Sequence, residues 1–183
     1  MKRIVLASAL ALLPWLAHAS DQSDCKIAAG TYLTGKVTGK PYFRPGGFLK
    51  GIQLSHTHFK LKADQDGKTY DVSVDNVFAT GYNEAGESVP MPLKTIAVGQ
   101  RLALCGAPFP GGIHWVHPNC GKKPSPNQPN GWIKLADSRN RATGDSLTSN
   151  LEYCRLWRGR RMVMPGEFDQ PFILPDEEVS PES

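Results

Sequence analysis

The run GGIHWVHPNCG, residues 111–121, puts two histidines, a tryptophan and a cysteine close together, and HTHF, residues 56–59, adds two further histidines. Imidazole binds metals and moves protons near neutral pH, so three chemistries follow from these types and spacings. His56 and His58 are two apart and share one face of a strand, a two-ligand bite. His114 and His117 are three apart, and a regular strand sends them to opposite faces. A strand that stops near Val116, between Gly111-Gly112 and Pro118, lets both turn toward one point. A metal site would gather His56, His114 and His117, with His58 and Asp75 as further candidates, and neutral imidazoles suit Zn or Cu.

The second chemistry is acid–base. His114 or His117 as general base, with Lys or Arg holding a phosphate, would make a phosphodiesterase of the nuclease kind. The chain has no G-x-S-x-G, H-E-x-x-H or P-loop. The third is structural: His58 opposite Asp75 is a sufficient cross-strand pair, and Lys60 and Lys62 on the same face oppose a cation. Trp115 and Trp132 read as packing residues whose indole N–H groups each need an acceptor. A binding surface needs no catalysis. His56, His58, His114, Trp115, His117, Lys60 and Lys62, with Tyr32, Lys36, Tyr42, Phe43 and Arg44, supply basic and aromatic side chains for a polyanion, a small ligand or a protein partner.

These residues must be positioned by strands. Residues 31–40 alternate as a first strand. HTHFKLKADQDGKTYDVSVDNV, residues 56–77, is a hairpin signal with Asp66-Gly67 as a two-residue turn. That turn sets Phe59 opposite Val74, Leu61 opposite Val72 and Ala63 opposite Tyr70, an apolar face, with Lys62 opposite Asp71 and His58 opposite Asp75 on the other. Residues 41–50 and 79–95, rich in Gly and Pro, read as loops. Residues 98–106 and 113–117 read as the last barrel strands, before a Pro/Asn loop and Gly131-Trp132-Ile133. The expected fold is all-β: a five-stranded OB-like barrel over residues 20–134. An SH3-like barrel or an open sandwich would hold the same strands. Residues 135–161 read as an extension with a helix over residues 146–157, from Leu147, Leu151 and Cys154 at i, i+4 and i+7. Residues 162–183 read as an extended acidic tail.

The first nineteen residues read as an export signal: Lys2-Arg3, an apolar run, then Ala17-His18-Ala19. The run is too short to span a bilayer, which takes roughly 20 residues. The expected product is periplasmic or secreted, without stable membrane insertion. Four cysteines in an oxidising compartment point to two disulfides. In an OB-like order the first strand runs antiparallel to the fourth, which brings Cys25 to Cys105. That leaves Cys120 for Cys154, one of three possible connectivities. Residues 20–161 carry 19 Lys and Arg against 11 Asp and Glu, a net +8 that suits an anionic partner.

His56-x-x-Phe59, Val98-Gly99-Gln100, residues 111–117 and Gly131-Trp132-Ile133 together resemble a family of small exported bacterial proteins known as a domain of unknown function. That family's pattern runs H-x-x-F, L-x-V-G-D, G-G-x-x-H-W-x-H and G-W-I. Gln100 replaces its Asp, one residue is missing before His114-Trp115, and Pro118 stands where a further His is usual. The resemblance implies an exported, compact, OB-like protein and no particular activity. It also implies that His56, His114 and Trp115 lie near one another at a barrel rim.

Overall fold

A computed structural model describes residues 19–84 and 87–157. The expected export signal, apart from Ala19, and the expected acidic tail lie outside the described residues.

Five strands close into a barrel: β1 (Thr31–Val37), β5 (His56–Ala63), β6 (Thr69–Asp75), β8 (Gly112–His114) and β7 (Arg101–Phe109), with β7 pairing back onto β1. Every pairing is antiparallel except β6 with β8, so this is the expected OB-like order. Inside lie Phe59, Leu61, Val72, Val74, Leu102, Leu104, Ile113 and Ile133, each fully buried, with Leu93 and Ile96 of the long loop packed against them. The chain enters through the helix α1 (Ala19–Ile27). Among the described residues no helix is long and apolar enough to cross a membrane.

The hairpin register differs from the expected one. The turn is four residues long, 64–67, closed by Ala63 N–H to the Lys68 carbonyl at 2.9 Å, with Gly67 at φ +70°. The Asp66 carboxylate accepts from Lys68 N–H and from the Tyr70 hydroxyl and stabilises this wider loop. Phe59 therefore faces Val72, Leu61 faces Tyr70 and Thr57 faces Val74. The slip is two residues, and side chains alternate with a period of two, so the apolar face is unchanged. The outward pairs do change: His56 faces Asp75, His58 faces Ser73 and Lys60 faces Asp71.

Three other segments depart from expectation. The presumed loop 41–50 contains β2 (Tyr42–Arg44), antiparallel to the first half of β5, and β3 (Phe48–Leu49), which pairs with β4 (Ile52–Gln53). The last barrel strand stops at His114, because Trp115 turns left-handed at φ +56°. Residues 146–157 are not one α-helix. Beyond β9 (Trp132–Ala136) and β10 (Ala142–Thr143), among the described residues only Glu152–Trp157 is helical, as a 3-10 helix. Upstream, the Ser146 hydroxyl accepts from backbone N–H groups and the Thr148 hydroxyl donates to the Val116 carbonyl at 2.7 Å. Such side chains compete with helical hydrogen bonding. Leu147 consequently packs on the barrel core while Leu151 stays exposed.

Both expected disulfides are present, Cys25–Cys105 and Cys120–Cys154. They bridge sequence separations of 80 and 34 residues, for which the chain-entropy model gives about 4.5 and 3.8 kcal/mol. Double Cys→Ser replacement of each pair should lower the unfolding free energy by about those amounts in urea titrations. A much larger loss at Cys120–Cys154 would mean that the clip also maintains native packing.

Candidate functional site

At one rim, where β5 begins and β6 ends, the Asp75 carboxylate joins two strand-separated histidines. His56 Nε2 lies 2.6 Å from Asp75 Oδ1, and His117 Nε2 lies 3.1 Å from Oδ2. The two strands deliver His56 and Asp75 opposite each other. His117 arrives from the chain beyond β8, after the left-handed step at Trp115. Beneath the carboxylate, buried Asn76 accepts from Thr57 Oγ1 at 2.6 Å and donates to Ser55 Oγ at 3.0 Å, which sets where β6 ends.

His117 is only 3% exposed. Its Nδ1 donates to the Pro118 carbonyl at 2.9 Å, while Nε2 lies within ion-pair distance of the Asp75 carboxylate but makes no aligned hydrogen bond among the described residues. Its ring stacks on Phe78, centroids 4.0 Å apart and planes 7° apart. Trp115 lies 5.1 Å away, and Trp157 stacks on Phe78 at 5.4 Å. Four aromatic rings thus form one column from the C-terminal 3-10 helix to the HWVH segment. Gly131 makes this possible, because a Cβ there would lie 2.1 Å from the Trp115 carbonyl oxygen and 2.5 Å from that of Cys105. The HWVH and GWI segments therefore pack backbone to backbone. The Trp115 indole N–H is buried with no hydrogen-bond partner among the described residues, contrary to expectation.

A second His–Asp pair lies on the outer face. His58 Nδ1 is 2.9 Å from Asp71 Oδ2, its Nε2 is 3.4 Å from Ser73 Oγ, and Tyr42 stacks on its ring at 5.7 Å. Lys60 Nζ reaches the other Asp71 oxygen at 3.2 Å. The Arg44 guanidinium lies 6.0 Å from the centre of the Tyr42 ring. Lys60 and Lys62 are exposed, as is Lys36, which β1 sets opposite Lys62. His114 packs edge-on against Phe109 and Trp115.

The candidate metal set of His56, His114 and His117 is not assembled among the described residues. Among the described residues no three His, Cys, Asp or Glu side chains are placed to hold a metal ion. The physical reason is the direction of the rings: His56 and His117 each turn Nε2 onto Asp75, and His58 spends its nitrogens on Asp71 and Ser73. The arrangement gives charge pairing and a stacking column, plus a cationic outer face beside it. Phe78, Asn76 and Trp157 were not anticipated. Their only sequence signal is the Asp75-Asn76-x-Phe78 run at the strand end.

Electrostatics follow from burial and pairing. Burial would push the Asp75 carboxyl up, but the charges and hydrogen bonds of His56 and His117 outweigh it and hold it well below the ordinary carboxylate range. Burial lowers His58, with Asp71 pulling the other way, and burial likewise lowers His114 against the pull of Asp75. Compared with family models, with curated proteins and with solved structures, the chain matches none.

The sign of the pH dependence is the same for all three groups. A downward shift means the unfolded chain binds the proton more tightly, so the stabilisation is present at high pH and lost in acid. The part due to His58 and His114 is full above pH ~6.5, and the part due to Asp75 is full above pH ~4. The melting temperature should fall as pH drops from 7 toward 5, and again below 4. His114→Gln should shrink the first fall and leave the second. Asp75→Asn, which breaks a largely buried ion pair, should cost roughly 3 kcal/mol at pH 7. A wild-type melting curve that is flat from pH 7 to 5 would contradict this.

Proposed function

We propose that the protein is an exported binding module that takes a polyanion on the outer face of β5 and its neighbours β1 and β2. One observation carries the reading. Lys36, Lys60, Lys62 and Arg44 project from three adjoining strands to one exposed face, with Tyr42 among them. OB-like barrels use this part of the fold, the second and third barrel strands and the loop between the first two, for extended ligands. Here β5 and β6 are those strands, and β2 lies within that loop. Two acids share the surface: Asp71 is paired with His58 and Lys60, and Asp75 with His56 and His117. Lys36, Lys62 and Arg44 therefore leave a positive field for an anion. The two disulfides and the apolar leader with its small-residue cleavage site support an oxidising, exported setting.

Binding of this kind releases counterions, so it weakens steeply with salt. Protein lacking residues 1–19 should be retained on heparin and elute with salt, and the double change Lys36→Ala/Lys62→Ala should elute much earlier at an unchanged melting temperature. Elution of wild type and variant at the same salt concentration would remove this face from consideration.

A further inference from the structure

We infer that the ligand is a linear acidic glycan and that it lies lengthwise along β5, rather than across the barrel strands. This rests on the polyanion reading above and adds the ligand's class and direction.

The direction comes from the sign of charge on each neighbouring strand. Antiparallel partners share a face, so the registers locate each outward side chain. Along β5 the surface runs Lys62 with Lys36 beside it, then Lys60, then Tyr42 over His58, then Arg44 beside His56. At about 3.3 Å per residue, the outward positions from His56 to Lys62 cover about 20 Å. A chain crossing onto β6 meets Thr69, Asp71, Ser73 and Asp75 and no base, because TYDVSVD has none. A chain crossing the other way, over β1, reaches Arg101, whose guanidinium is already paired with Asp64. Only the lengthwise path keeps anionic groups on cations at both ends, Lys62 with Lys36 at one and Arg44 at the other, with Lys60, which also pairs with Asp71, between them.

The class comes from the aromatic content of that path. Proteins that hold single-stranded nucleic acid lay successive bases on successive aromatic rings. This track has a single exposed ring, Tyr42, at 42% exposure. Phe43 alternates to the other side of β2, and Phe48 belongs to the separate β3–β4 hairpin. One ring among four bases suits one sugar ring packed on Tyr42 with sulfate or carboxylate groups on either side.

The test is calorimetric titration of size-defined heparin oligosaccharides, and of oligothymidylates of equal charge, at several salt concentrations. Wild type, Lys62→Ala, Arg44→Ala and the remote control Lys94→Ala are compared, with melting temperatures recorded for each. Affinity should rise with glycan length until the chain spans about 20 Å, then level off. For long glycans, Lys62→Ala and Arg44→Ala should each weaken binding several-fold and lower the salt slope by about one, as loss of one phosphate-contacting lysine does in nucleic-acid complexes. Lys94→Ala should do neither. Tighter binding of the oligothymidylate would overturn the glycan assignment. Salt-sensitive binding that ignores both glycan length and Arg44 would overturn the lengthwise track while leaving the polyanion reading intact. Absence of salt-sensitive binding to any of these ligands would defeat both.

Discussion

Strand β5 is hydrogen-bonded along both edges, to β6 on one side and in turn to β2 and β1 on the other. Inside a sheet closed on itself, such a strand cannot rotate, so its two-residue alternation is locked. Thr57, Phe59, Leu61 and Ala63 must enter the core, and His56, His58, Lys60 and Lys62 must leave it. The core, the rim and the cationic face are three consequences of that one constraint. A one-residue slip would bury two lysines, which burial of unpaired charge forbids. A two-residue slip costs far less, and the hairpin turn chooses between such registers.

The rim depends on a different economy. Between β8 and β9 the chain leaves the sheet and needs other partners. Asp75 supplies them at the top, Phe78 in the middle, and Cys120–Cys154 at the side. The buried His117 is directional where apolar packing is not, since its Nδ1 donates to one particular oxygen, the Pro118 carbonyl. Around it the aromatic column ties the 3-10 helix Glu152–Trp157 to the barrel through rings rather than through backbone pairing.

The division between rim and face also separates the histidines by role. His117 is enclosed and structural in its contacts, whereas His58 is covered by Tyr42 and stands within the cationic track. His56 lies at the junction, bonded to Asp75 on one strand and beside Arg44 on another. Placement rather than residue type distinguishes them.

Much of this was legible in the order of residues. Alternation in HTHFKLKA named the inward and outward sets, the strand order paired the cysteines, and Gly111-Gly112 marked the start of a short last strand. These follow because alternation, turn residues and chain connectivity are local or topological properties. The hairpin register, the partner of His58, the fate of residues 146–157 and the failure of His56, His114 and His117 to form a metal set were not legible. Each depends on competition between distant groups: Asp66 with Tyr70 at the turn, Thr148 with the Val116 carbonyl, and Asp75 for two imidazoles. Sequence alone determined which side chains of β5 and β6 face solvent and which cysteines meet, since a period of two and a chain order suffice. Only the tertiary structure decided which imidazole meets which carboxylate, because hydrogen-bond partners are set by ångström distances between strands that sequence spacing does not encode.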